Sequence, residues 1–298
     1  VGPVLLALII VGRRRTAFLN RAGELHGSAR WAGRDDLEQS GLLEGKGVFL
    51  ASWKDTKAGS LRYLRHDGPE HVVALAPTRS GKGVGIVLPT LLTWPESALI
   101  LDPKAENWAL TAGRRAQMGH KTICFNPASS RSHRFNPLAE VRVGTEYETA
   151  DVQLLAVTLV NPTGQEHTGA SEHFNTTAAA LLAAAILHCL YRHRNERGGV
   201  PTLKDLALEL GHPERTPEAT LEGWMSYRHL PSGTHPAVAS EARAQLSRMA
   251  TPEGSGVWST ARRPLALYLD PVVAAATSKS DFTLNDLTDG DAPSSIYL

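Results

Sequence analysis

Apolar residues gather along the chain in short, nearly uncharged runs separated by turn-forming stretches. HVVALA at 71–76, SALIL at 97–101 and KTICF at 121–125 are three such runs. Their length and lack of polar alternation predict strands buried on both faces, as in a parallel sheet. VGIVLPTLLTW at 84–94 follows the first run. It is of helix length, and Pro89, which lacks a backbone N–H, predicts a kink within it. Strand, helix, strand in this order predicts an α/β fold on a parallel sheet. SSIYL at 294–298 reads as the opening of a further buried strand with no turn or cap after it, so the sheet domain is expected to be incomplete.

The most apolar internal stretch, AAALLAAAILHCL at 178–190, spans thirteen positions with a histidine among them. That is too short for a bilayer and predicts a core helix. From 201 to 277 helix starts recur, each with a capping residue or a proline in the first turn: Thr202, Thr216-Pro217, His235-Pro236, Thr251-Pro252 and Asp270-Pro271. This pattern predicts an all-helical module inserted into the α/β domain.

The first twelve residues, VGPVLLALIIVG, carry no charge, and Arg13, Arg14 and Arg15 follow at once. Twelve residues do not span a bilayer, which needs about 20. They are expected to be the end of a transmembrane helix, with the arginines marking its cytoplasmic side. The expected division is then 1–12 membrane helix, 13–66 juxtamembrane segment with short strands, 67–200 first part of a nucleotide-binding domain, 201–280 all-helical domain, and 281–298 return to the nucleotide-binding domain.

Composition narrows the partners. With 31 Lys+Arg against 30 Asp+Glu, the net charge of +1 excludes a polybasic nucleic-acid coat but leaves room for a local basic channel. Cys124 and Cys189 lie far apart with no CxxC, which excludes a disulfide framework and a zinc ribbon and fits a reducing compartment. Among the twelve histidines no HExxH occurs, and His188 and His193 are five positions apart, on different faces of a helix. His173, near the start of the apolar helix, is read as a cap, and Asn175-Thr176-Thr177 is a glycosylation sequon in form only.

The chemistry centres on APTRSGKG at 76–83, between the run 71–76 and the segment 84–94. In a phosphate-binding loop, backbone N–H groups and a helix N-terminus point at phosphate oxygens, and a lysine neutralises them. Gly81 and Lys82 match GxxxxGK[ST], but Ala76 replaces its first glycine and Gly83 stands where a hydroxyl would hold magnesium. The strand-loop-helix setting nevertheless predicts nucleotide binding. Such an enzyme also needs an acidic pair at the end of a neighbouring strand, and no hydrophobic-Asp-Glu run occurs in the chain. Asp102, which ends SALIL, is the candidate, with a turn residue before Pro103 as its bland alternative. LALYLD at 265–270 has a similar form, but its Asp270 reads as a helix start.

APTRSGKGVG at 76–85, with VLPTLLTWP after it, resembles the P-loop of TraG-family type IV secretion coupling proteins. HGSARWA at 26–32, LDPKAENW at 101–108, RFNPL at 134–138 and GVWSTARRPLALYLDPVVAAATSKSDF at 256–282 extend the resemblance over most of the chain. LDPKAENW departs from the family pattern at Ala105, where glycine is usual. The resemblance implies a hexameric, membrane-anchored, RecA-like motor related to the FtsK and HerA translocases, with an all-helical domain over its mouth. Such motors sit on the cytoplasmic face of the bacterial inner membrane and deliver relaxase-bound single-stranded DNA, or protein effectors, to a type IV secretion channel. It also implies ATP and Mg2+ as cofactors, Gly83 as a feature of this branch, and an acidic pair beyond Leu298.

Carried over residue by residue, the nucleotide site is Thr78, Arg79, Ser80, Gly81, Lys82, Gly83 and Val84. Lys82 stabilises charge on the γ phosphate, and Asp102 and Lys104 are weaker candidates. Arg79 is equally a phosphate or neighbouring-subunit contact and a solvated loop arginine. Three functions stay open: the coupling motor, a duplex DNA translocase of the FtsK or HerA kind, and a non-catalytic membrane-tethered docking module for secretion substrates.

Overall fold

The computed structural model describes residues 30–166 and 168–298. The membrane helix expected at 1–12, the arginines at 13–15 and the first part of the juxtamembrane segment lie outside the described residues. The chain forms two compact units, one up to Trp94 and one over Pro95–Leu298.

The first unit opens with a short helix α1 (Arg34–Gln39) and a hairpin of β1 (Val48–Asp55) and β2 (Ser60–His66). The strands pair antiparallel with Ser52 opposite Tyr63, and a bulge between Phe49 and Ala51 lets Leu50 stand outside the ladder. Asp55 closes the turn by accepting from the N–H groups of Lys57 (3.0 Å) and Ala58 (3.1 Å). Arg34, at the start of α1, reaches the same carboxylate at 2.9 Å.

The stretch 71–76 corrects the sequence-based expectation, because it forms no strand. Val73 and Leu75 stand 77% and 92% exposed. A parallel strand exists only through hydrogen bonds to neighbours on its edges, and no described strand pairs with this run. The segment 84–94 is helical as expected, but Pro89 does not interrupt its bonding. Residues Gly83–Val87 make a π-helical turn in which Leu88 N–H donates to Gly83 five residues back, and an α-helix α2 (Leu88–Thr93) then starts afresh. Pro89 thereby falls in a first turn, where its missing N–H removes no bond.

The second unit carries a three-stranded, all-parallel sheet in the order β3 (Ala98–Ile100), β5 (Ser294–Tyr297), β4 (Lys121–Cys124). SALIL, KTICF and SSIYL are therefore strands as expected, and helix α3 (Glu106–Gln117) joins β3 to β4. The buried Arg115 of α3 donates to Ser295 of the middle strand and to the carbonyl of Glu96 (2.8 Å), while Thr111 meets the Tyr297 hydroxyl at 2.6 Å. These bonds fix α3 against the sheet.

Between β4 and β5 in the sequence comes a helical body. Its helices are α4 (Glu148–Val160), α5 (Ala170–Glu196), α6 (Leu203–Leu210), α7 (Pro217–Ser226), α8 (Pro236–Arg248), α9 (Pro252–Arg262) and α10 (Pro271–Ala276). A 3-10 segment, Arg263–Leu269, joins α9 to α10, and the single turn α11 (Asn285–Thr288) precedes β5. All five expected helix starts are found, and three of them are capped by a side chain, whereas His235 and Thr251 make no such bond. Thr202 and Asp205 bond each other's backbone N–H groups, Thr216 accepts from Ala219, and Asp270 accepts from Val272 and Val273.

Helix α5 is long and apolar enough to pass for a membrane span, yet 78% of its apolar window is buried inside this body. It is the core helix the sequence predicts, extended at both ends. The core itself draws on residues from Leu138 to Leu265, so α4 and α5 pack together with the helices that follow 201. His173 is not the cap expected of it. It lies inside α5, and its Nε2 meets Glu253 Oε1 of α9 at 2.9 Å. A helix starting at Ala170 leaves position 173 on a side face, free to pair across to a neighbour.

Candidate nucleotide site

The loop 77–82 is shaped by two left-handed residues. Gly81 has φ +87 and Arg79, not a glycine, has φ +62. A left-handed conformation costs an ordinary residue about 1–2 kcal/mol, so Arg79 is a point of strain of the kind that gathers at functional loops. Ser80 N–H donates to Pro77 at 3.3 Å and Gly85 N–H to Gly81 at 2.7 Å, which closes the loop and leads it into the π turn. Lys82 turns back across the loop. Its Nζ donates to the carbonyls of Ala76 (2.6 Å) and Pro77 (2.9 Å). The ammonium is thus held on the loop itself by neutral acceptors, with no ion pair to a carboxylate among the described residues.

Thr78, Arg79 and Ser80 are exposed, as are Gly83 and Val84. A Cβ at Gly83 would meet nothing within 4 Å, so crowding does not explain the missing hydroxyl there. A cleft of about 430 Å³ opens beside the loop, lined by Ser80, Gly81 and Lys82 and by Leu50, Ser52 and Tyr63 of the hairpin. Backbone N–H groups, a positive charge and an open cleft suit the phosphates of a nucleotide. They do not suit a protein-held magnesium ion, because the cleft is lined by no carboxylate. No group of three or more His, Cys, Asp or Glu side chains among the described residues is arranged to hold a metal.

Asp102 belongs to the second unit and ends β3 on the carboxyl edge of the sheet, as expected. Its backbone N–H donates to Leu298 (2.6 Å), and its carboxylate accepts from the Trp108 N–H (2.8 Å) and the Asn107 amide (3.3 Å). It therefore caps the start of α3. It also lines a small cavity of about 90 Å³ with Ala105, Cys124, Asn126 and Tyr297, outside the carboxyl ends of the three strands. Ala105 adopts φ +55 there, keeping the left-handed turn that glycine would make without strain. Lys104 is exposed.

Sequence reasoning missed the hairpin's share of the cleft. Tyr63 and Ser52 lie 19 and 30 positions before Lys82, in a segment with no motif. The one signal for Tyr63 is an aromatic side chain in a strand that is otherwise half polar.

Comparison with known proteins places the chain. A conjugal transfer protein TraG from Escherichia coli is 47% identical over 92% of this chain and 45% of its own length. A VirD4 protein from Agrobacterium fabrum is 32% identical over 95% of this chain and 40% of its own. The chain thus spans about half the length of the curated relatives it matches. Among solved structures, the plasmid coupling protein TrwB in complex with the non-hydrolysable GTP analogue GDPNP matches 74% of this chain and 45% of that one, at 18% identity and a TM-score of 0.43. The family model described as type IV secretory system conjugative DNA transfer covers residues 30–298, every residue whose structure has been described, and the chain belongs to that family.

Proposed function

We propose that this chain is the nucleotide-binding part of an ATP-driven coupling protein. The whole protein is anchored in the bacterial inner membrane with this part on the cytoplasmic face. It assembles as a homo-hexamer and delivers relaxase-bound single-stranded DNA, or protein effectors, to the components of a type IV secretion channel. The relatives' names, conjugal transfer protein and secretion coupling protein, support this reading. The division into nucleotide-binding segments at 67–200 and 281–298 and an all-helical domain at 201–280 belongs to it as well.

The observation that carries the reading is Lys82, whose ammonium rests on two loop carbonyls beside an open cleft. An entering triphosphate replaces those neutral acceptors with anionic ones, a stronger bond for a charged donor. Thr78, Arg79, Gly81, Gly83 and Val84 offer backbone N–H groups, Ser80 offers its hydroxyl, and Lys82 offsets the negative charge on the γ phosphate. Magnesium accompanies the nucleotide on its phosphates. Asp102 is the second unit's carboxylate in this reading.

One observation favours a weaker, second reading, in which this stretch docks substrates and binds nucleotide without hydrolysing it: no carboxylate lines the cleft to orient a water. The test is equilibrium ATP binding, with and without magnesium, to the full-length protein and its Lys82→Ala variant, beside DNA transfer by both. The motor reading requires that lysine removal weaken binding at least tenfold and abolish transfer. Normal transfer by the variant sinks it, and ATP binding with no turnover in the full-length protein favours docking.

A further inference from the structure

The cleft beside the P-loop is lined by two sets of residues of different chemistry. Lys82, Gly81 and Ser80 of the loop bring a positive charge and backbone; Leu50, Ser52 and Tyr63 of the hairpin bring an aliphatic side chain, two hydroxyls and an aromatic ring. At about 430 Å³ the cleft falls within the range of pockets that hold small-molecule ligands. A phosphate chain alone uses only the first set.

The hairpin is fixed to the helix that the P-loop feeds. Phe49 N–H donates to Thr90 Oγ1 at 3.1 Å, and the Arg65 guanidinium donates to Thr93 Oγ1 at 3.1 Å. The same guanidinium grips the carbonyls of Gly45 (2.7 Å) and Gly47 (2.7 Å) and lies 4.4 Å over the Phe49 ring. Phe49 in turn meets Tyr63 edge to face, with centroids 5.5 Å apart and planes at 71°. The Tyr63 ring is thereby oriented by a neighbour, yet stays 58% exposed. A scattered surface tyrosine needs no explanation. Tyr63 differs because a packed aromatic and a bolted strand hold it in the same cleft as the phosphate-binding lysine.

We propose that the hairpin β1–β2 forms the nucleobase subsite of the P-loop, with the base stacking on the ring of Tyr63 against Leu50 while Lys82 holds the phosphates. The inference rests on the reading of the P-loop as a nucleotide site and adds the part of the ligand that the P-loop motif does not address. Stacking on one aromatic ring suits any base with a flat face, and Ser52, opposite Tyr63 in the ladder, adds a hydroxyl beside that of Tyr63 itself.

Two probes separate the two sets of residues: ATP, which has a base, and inorganic tripolyphosphate, which has none. Equilibrium binding of each is measured with the full-length protein and its Tyr63→Ala, Tyr63→Phe and Lys82→Ala variants. Loss of one base–aromatic stack weakens ATP binding by about tenfold or more in Tyr63→Ala. Tripolyphosphate binding stays unchanged in that variant, Tyr63→Phe binds ATP as the wild type does, and Lys82→Ala loses both probes. Wild-type ATP affinity in Tyr63→Ala overturns the subsite while leaving the P-loop reading intact, and so does an equal weakening of ATP and tripolyphosphate in that variant. Failure of the wild type to bind either probe overturns the P-loop reading and the subsite together.

Discussion

Glu209 is the sharpest place to test the energetics of the helical body. Its carboxylate is buried on α6, accepting from Arg192 of α5 (2.7 Å), from Arg215 in the loop before α7 (3.1 Å) and from the indole N–H of Trp224 on α7 (2.9 Å). Burial alone pushes such a carboxyl up. The hydrogen bonds from Trp224 and Arg215, together with the charge of Arg192 and the bond it donates, outweigh that and hold it at about 2 against an ordinary 4.5. At roughly 1.4 kcal/mol per pH unit, the carboxylate contributes on the order of 3 kcal/mol at neutral pH. A group with a depressed folded pKa stabilises fully above its unfolded value, here 4.5, and the contribution fades as pH falls through about 2.

Glu209→Gln keeps the shape and removes the charge, leaving two guanidinium groups facing a neutral amide. Urea unfolding, followed by the fluorescence of the buried Trp224 and Trp258, should show the variant about 3 kcal/mol less stable at pH 7. In thermal melts that is roughly 6–12 °C for a unit of this size. The gap should shrink to under half by about pH 3. A gap below about 1 kcal/mol at pH 7, or one that does not change with pH, refutes the argument, because the buried carboxylate would then owe little to its charged partners.

Other predictions follow from the same physical reasoning. Burial holds His188 at about 3, against the pull of Glu209, and holds His229 at about 4, with the charge of His235 adding. Both stay neutral when folded while an unfolded histidine takes its proton near 6.5, so urea midpoints of the helical body should fall as pH drops below 6.5, and a flat profile from pH 7 to 5 contradicts this. Ala105→Gly relieves a left-handed residue at φ +55 and should raise stability by about 1 kcal/mol in calorimetry; a lower melting temperature counts against it. Gly47, at φ +84, leaves no room for a Cβ, which would lie 1.8 Å from the carbonyl oxygen of His66. Gly47→Ala should loosen the hairpin by roughly 2 kcal/mol or more, read as faster amide exchange in β1 and β2, and unchanged exchange refutes the steric argument.

Much of the second unit was legible in the sequence because its signals are local. SALIL, KTICF and SSIYL are apolar runs between turn residues, and they became β3, β4 and β5 of one parallel sheet. Thr202, Thr216 and Asp270 announce their helices because a cap bonds backbone groups two or three residues away. HVVALA has the same apolar look and failed as a strand, since a strand is completed only by partners that lie elsewhere in the chain. His173 was misread for a related reason: a residue's place within a helix depends on where the helix begins, and its partner Glu253 is 80 positions away.

Local sequence alone carried the APTRSGKG loop at 76–83, with glycine in place of a hydroxyl at 83, and the buried nature of α5. Each depends on spacing along the chain or on the covalent character of one residue. The folded chain, by contrast, sets Lys82 on its own loop carbonyls, makes Asp102 the cap of α3, and brings Tyr63 and Ser52 into the cleft with the P-loop. Those facts depend on the packing of segments far apart in sequence, where hydrogen bonds such as Phe49 to Thr90 fix positions that no local pattern encodes.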